Sequence, residues 1–429
     1  MLIRGKFVCV LAAVAVLAGC GARSGSSVPA SELVRPLVAQ SAPPSPWSQL
    51  NVPTASAGPF GIAKGSDKNI WYTEQSADQI GRVTPLGVFT EFPLPAGDSP
   101  SLIAPGESGY LWFTGVEESG QGFVGSIATA TGNVVIYPTP TFSSGPYGIV
   151  LGSDGNMWFT ETTANQIGKV TPSGQFTEYP VPTASAGLAG ITVGGDSELW
   201  FAESATGKIG HSTTSGSINE FTGATNPLFL GLAVNKGNNV WFSDGTKDAV
   251  GQISQTGTIT EYSIPTGLQP FDLIFGADAN VWFSVPSSGV LRNIYPPSTR
   301  FSAAYTIPTT GTNPQMLAFG SDGNLWFTEP GSDQIGVYDI HQQTATPSSI
   351  SFTGVGQTQS FSVSEVYYSG TFTVSGCSPQ VATVSPSTAA TSFTVTAQGA
   401  GTCTFIVADS MNNTSPVTVT VTTTSFGIQ

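Results

Sequence analysis

PYGIVLGSDGNMWFTETTANQIGKVTPSGQFTEYPVP, residues 146–182, decides the fold of this chain. It holds four short runs of β-forming composition: Tyr147–Leu151, Met157–Glu161, Ile167–Thr171 and Phe176–Val181. The links between them carry turn chemistry, because Asp, Asn and Gly tolerate the left-handed backbone of a tight hairpin. Ser153-Asp154-Gly155-Asn156 supplies one such turn and Pro172-Ser173-Gly174 another. The first run is almost wholly apolar, as a strand covered on both faces must be. The fourth alternates and stops at Pro180 and Pro182; proline has no amide to donate and belongs on an outer edge. The segment reads as a four-stranded antiparallel sheet with a buried inner strand.

The same unit recurs. Trp71, Trp112, Trp158, Trp200, Trp241, Trp282 and Trp326 mark seven copies at spacings of 41, 46, 42, 41, 41 and 44 residues. A period in the low forties with four strands per unit is the signature of a propeller blade. The seventh copy lacks a fourth strand. Trp47–Pro53 supplies one, since Val52–Gly58 repeats Val181–Gly187 residue for residue. The expectation is an all-β, seven-bladed β-propeller over residues 47–343, closed by its N-terminal strand. Closure removes the open edges a sheet would otherwise expose. The seven Trp are expected in the core between blades.

Composition agrees: 51 Gly, 31 Pro and only 9% charged residues favour turns and strands over helices. The net charge of −14 excludes nucleic acid as a natural partner. Residues 1–19 read as an export signal, with Arg4 and Lys6 before an apolar run too short to span a bilayer. Leu17-Ala18-Gly19-Cys20 resembles the bacterial lipobox, which implies cleavage before Cys20 and lipidation of its thiol. The expectation is a membrane-anchored lipoprotein of the cell envelope, a monomer, tethered by the Ser/Pro-rich residues 20–46. The mature chain would keep 11 basic against 27 acidic groups, so an anionic membrane would hold its body off the surface.

Beyond Thr346 the chain is Thr/Ser/Val-rich, and alternating runs predict a seven-strand β-sandwich over residues 347–429. Gly401–Asp409 resembles the closing strands of bacterial immunoglobulin-like domains, which implies a spacer or adhesive module. Cys377 and Cys403 both fall here. In an oxidising compartment an even pair favours a disulfide; a two-Cys metal site is the alternative, without a third Cys or a His nearby to support it.

The repeat W-F-T-E-x-x-x-[ND]-Q-I-G-[RK]-V-T-P-x-G-x-[FI]-T-E-[FY]-x-[IVL]-P, seen at Trp158–Pro182 and, with Tyr72 at its second position, at Trp71–Pro95, resembles the virginiamycin B lyase (streptogramin lyase) family. The likeness covers residues 47–340. It implies a propeller that opens a cyclic depsipeptide by elimination, with Mg²⁺ at one end of the channel. It also implies His in a Pro-His-Gly-Ile start to the inner strand of two blades, one of them preceded by Glu. A base and a metal are what proton abstraction beside an ester carbonyl requires. Here the His position, eleven residues before each Trp, holds Phe60, Ser101, Tyr147, Ala189, Leu230, Phe271 and Gln315. The Glu position two residues earlier holds no acid in any blade, and the two histidines, His211 and His341, lie elsewhere.

What survives is the acid three residues after the Trp: Glu74, Glu161, Glu203 and Glu329, with Asp244 in the fifth unit. Repeated acids at one point of a blade fit a turn-capping role. The alternative is a carboxylate ring at the channel mouth that holds Mg²⁺ or Ca²⁺. Phe60, Tyr147, Leu230, Phe271 and Gln315 would line that mouth and suit a glycan, peptide or small-molecule ligand. The reading is a binding or scaffolding lipoprotein without catalytic residues. The alternative is a lyase or another metal-dependent propeller enzyme of lactonase type.

Overall fold

The computed structural model describes residues 46–222, 231–235, 237–276, 278–295, 300–302, 304–340, 343–365, 370–409 and 414–422. The described residues are almost entirely strand and turn, with one short 3-10 helix at Pro286–Ser288. The export signal, Cys20 and the tether lie outside them, as do Leu230 and His341.

The unit that opened the sequence is blade 3. Its strands are Pro146–Leu151, Met157–Glu161, Gln166–Val170 and Phe176–Pro180, hydrogen-bonded in chain order and antiparallel. Blades 1, 2, 4 and 5 repeat it over residues 59–93, 99–138, 188–222 and 232–263. In blade 6 the outer strand is split into Arg300–Phe301 and Tyr305–Thr306, both paired to Val290–Tyr295. Blade 7 takes its first three strands from residues 317–338 and its fourth from Trp47–Asn51. Five residue pairs join that strand to the last, from Trp47 opposite Tyr338 to Asn51 opposite Gln334. Each inner strand touches the inner strand of the next blade, and blade 7 touches blade 1, so the ring is closed.

The core lies between blades. Trp71, Ile80 and Leu94 of blade 1 pack with Ile103, Leu111 and Phe113 of blade 2, and the seventh blade's Trp326 packs with Ile70 and Tyr72 of the first. All seven Trp are buried, with Trp112 the most open at 5%. Four of the indole N–H groups are satisfied locally: Trp71, Trp158, Trp282 and Trp326 each donate to the Asp four residues earlier, at 2.9–3.1 Å. The Asp-Gly-Asn turns at Asp154 and Asp322 are therefore hairpin turns whose Asp also anchors a Trp.

After the propeller come two packed sheets. One joins Thr344–Thr346, Thr358–Ser364, Ser392–Ala397 and Ala382–Ser385; the other is five-stranded and contains Gly401–Ala408 and Thr414–Val421. The described residues form nine strands where the sequence predicted seven, because short edge strands such as Thr388–Ala389 carry too little alternation to be seen. Phe361, Phe393, Phe405 and Val419 fill the space between the sheets. Cys377 and Cys403 are joined by a disulfide, with Cα atoms 5.2 Å apart.

Candidate functional site: the channel through the propeller

Seven inner strands surround a central channel, and the residue types in it follow the repeat. Two cavities lie along it. A wider one, about 530 Å³, is bounded by residues such as Ile103, Ala233, Leu273 and Phe319, with Lys64 as the single cation among the described residues that line it. A narrower one, about 120 Å³, sits where Gly148, Gly190 and Gly231 stand on their inner strands. Asp272 lines both. Blade 6 places this Asp where blades 1, 3, 4 and 5 have Gly, and it is buried to 7% exposure. Burial pushes its carboxyl up to about 7, although the amides of Leu317, at 2.8 Å, and Leu273 offset part of that shift.

The residues expected at the channel mouth, in place of the family's histidines, each stand one residue before the row that includes Gly148, Gly190, Gly231 and Asp272, and none of those described lines either cavity. Phe60 and Tyr147, from blades 1 and 3, bring their rings within 6.5 Å, with only the small Ser101 at the same position of the blade between them. Burial, with Asp272 adding to it, pushes the Tyr147 hydroxyl up to about 12, so it stays a neutral donor. Phe271 and Gln315 occupy the same register in blades 6 and 7. The donor set at this mouth does not fit Mg²⁺, which seeks carboxylates or phosphates in near-octahedral array. Ser101, Tyr147 and Gln315 are its polar side chains, and none is an acid.

The mouth is held by a feature that sequence reasoning missed. The hydroxyl two residues after each Trp accepts an inner-strand amide of its own blade and donates to the histidine-position carbonyl of the next. Thr160 Oγ1 takes the Gly148 amide at 2.8 Å and gives to the Ala189 carbonyl at 2.7 Å. Thr73, Thr114, Ser243, Ser284 and Thr328 repeat the pattern, the last closing onto Phe60 at 2.8 Å. Blade 4 has Ala202 instead. The recurrent Thr in W-F-T-E was the available signal.

The strand-two acids do not ring the channel. Glu74, Glu161, Glu203 and Glu329 are fully buried, each at the end of its own blade's second strand, and none lines the channel cavities. Their carboxyls sit inside the blades rather than on the walls of these two cavities. Burial, with the strand-four acids Glu91, Glu178 and Glu220 adding to it, pushes Glu74, Glu161 and Glu203 up to about 7. Glu329 is raised by burial too, though both its oxygens accept from Gln49 at 3.1 Å. The strand-four acids are clamps between blades: Glu178 accepts the Thr141 amide and hydroxyl of blade 2, and Glu220 does the same for Thr183 of blade 3.

Among the described residues, one group brings three metal-ligating side chains together, and it lies outside the channel. His211 Nε2, on the third strand of blade 4, is 2.7 Å from Glu198 and 3.2 Å from Asp196. The trio is a donor set of the kind that imidazole and carboxylate offer a divalent cation.

The sequence pattern of the virginiamycin B lyase family matches residues 43–228 and 188–413. The chain belongs to that family. A solved streptogramin B lyase is 30% identical, covering 68% of this chain and 96% of that one, with a TM-score of 0.63. A catalytically inactive histidine-to-alanine variant of virginiamycin B lyase from Staphylococcus aureus, solved with quinupristin, is 29% identical over 68% of this chain and 98% of that chain, with a TM-score of 0.63. Virginiamycin B lyase of Nocardia farcinica is 33% identical over 112 residues, 26% of this chain; the chain spans 38% of the length of that relative in the match.

Proposed function

We propose that this family member is an exported lipoprotein whose propeller binds a ligand in its channel without lyase activity. One observation carries the reading. The seven positions that hold the family's histidines contain none, and His211 is stacked on Trp200, 4.3 Å between ring centroids, away from the channel. A lyase in this family loses its activity when one histidine becomes alanine. An elimination without an imidazole needs another base, and Asp272, held partly neutral by burial, is the one acid among the described residues that line the channel cavities. The apolar channel with the Tyr147 hydroxyl and Asp272 suits a ligand that is apolar with a few polar groups, such as a peptide, glycan or small molecule. Residues 1–19 are the signal, 20–46 the tether, 47–343 the propeller and 347–429 an immunoglobulin-like spacer in this reading.

The enzyme alternative rests on family membership alone, and it is separable. Incubation with quinupristin and Mg²⁺, followed by mass spectrometry, should leave the depsipeptide intact. Ring-opened product, lost in Asp272→Asn, would establish a lyase with a different base. For the anchor, Cys20→Ser should move the protein out of the membrane fraction or leave the signal uncut. A variant that is processed and pelleted like the parent rules out lipidation.

A further inference from the structure

The crevices between blades show what this chain places against a Trp–aromatic pair. In blade 1 the Arg82 guanidinium lies 5.3 Å from the Trp71 ring and 5.5 Å from Phe92, with Asp67 3.9 Å away. In blade 3 the Lys169 ammonium lies 5.1 Å from Trp158 and 5.8 Å from Tyr179. In blade 4 it is His211 on Trp200. All three come from the strand-three position directly opposite the Trp. A cation over an aromatic face is attracted by the ring quadrupole, and the acid beside it adds charge pairing.

Blade 2 keeps the aromatic pair and lacks the cation. Trp112 and Tyr137 are stacked at 5.7 Å and 16°, as their counterparts are, but the residue opposite Trp112 is Ser126. The short side chain leaves a cavity of about 260 Å³ between blades 2 and 3, lined by both rings, Tyr110, Met157 and Glu107. The acid is still supplied. Ser108 stands where blade 1 has Asp67, yet Glu107 beside it lines the cavity and overhangs the blade 3 turn at Gly155. Among the described residues, no Lys, Arg or His lines the cavity.

We propose that this crevice binds an alkylguanidinium or alkylammonium group from outside the chain, seated where Arg82 and Lys169 sit in blades 1 and 3. The site is separate from the channel and independent of the ligand proposed there. Trp112 and Tyr137 supply the aromatic faces, Tyr110 and Met157 cover the alkyl stem, and Glu107 pairs with the charge.

Isothermal calorimetry of the purified chain with N-acetyl-arginine amide tests it, with the neutral, near-isosteric N-acetyl-citrulline amide as control. Saturable binding is expected for the arginine compound, weaker by about threefold to tenfold for citrulline and for Glu107→Gln. Ser126→Arg, which rebuilds the blade 1 arrangement, should abolish it with an unchanged circular dichroism spectrum. Should Ser126→Arg fail to fold, Glu107→Gln on its exposed turn still decides the question. Spermidine run beside the arginine compound separates the sources: the tighter of the two identifies a polyamine or a peptide-borne side chain. Equal binding of the citrulline compound, indifference to both substitutions, or no saturable binding overturns the proposal.

Discussion

Glu161 shows how far a repeated residue can be from the role its recurrence invites. Its carboxyl is closed inside blade 3, and burial, with Glu178 adding, raises it from 4.5 to about 7. The folded state therefore holds this proton more tightly than the unfolded chain. Stability from the group is full below about pH 4.5 and is lost as pH rises through about 7. Replacing the acid by its neutral isostere removes that loss. Glu161→Gln should be more stable than the parent at pH 8, by on the order of 1–3 kcal/mol, and nearly equal to it at pH 4.5. Urea unfolding at the two pH values checks this; an advantage of the same size at both would mean the carboxyl titrates normally in the fold. Glu74 and Glu203 move the same way.

The link between neighbouring blades is a hydroxyl and a carboxylate, repeated around the ring. Thr160 ties blade 3 to blade 4 from a fully buried position, so removing its oxygen strands the Gly148 amide and weakens the hold on the Ala189 carbonyl. Thr160→Val, close in shape, should cost about 1–3 kcal/mol in urea unfolding. Half-buried Thr171, whose hydroxyl serves only its own hairpin, is the control, and Thr171→Val should cost less than about 0.5 kcal/mol. Equal losses at the two sites would show that the inter-blade bond adds nothing. The strand-four clamps have the same logic, and they explain why Val-Pro-Thr recurs after an outer strand: its Thr is what the next blade's Glu holds.

For the whole molecule the decisive element is the first strand. Gln49 donates to Glu329, Asp333 accepts the Ser56 and Gly58 amides at 2.7 and 3.1 Å, and Trp47 packs on Tyr338 at 4.4 Å. Without it the third strand of blade 7 is an open edge and its apolar flank meets water. Deleting residues 47–53 should lower the melting temperature of the propeller, whereas deleting residues 21–43 should leave it unchanged. Identical melting of both truncations and the parent would remove the strand from the ring. The disulfide acts on the other body: it closes a span of 26 residues, worth about 3.5 kcal/mol in the chain-entropy picture. Cys377→Ser with Cys403→Ser should destabilise the sandwich by about that amount in denaturant titration and leave the propeller's transition in place.

The period of the Trp residues, the turn chemistry and the repeated Val52–Gly58 segment were enough to read the propeller, its blade strands to within about a residue and its closure, because each is a local property of a forty-residue unit. The absence of histidine from the inner strands was equally legible, since position in a repeat fixes position in a blade. Other facts needed the ring itself. Phe60 and Tyr147 meet across a blade, and Asp272 faces a channel shared by all seven inner strands. Glu74, Glu161, Glu203 and Glu329 are closed inside their blades, and Ser126 leaves a cavity because it is short where blades 1 and 3 have Arg82 and Lys169. A repeat dictates what each blade contains. What the blades do to one another depends on how seven of them close, and that spacing is a property of the packed whole.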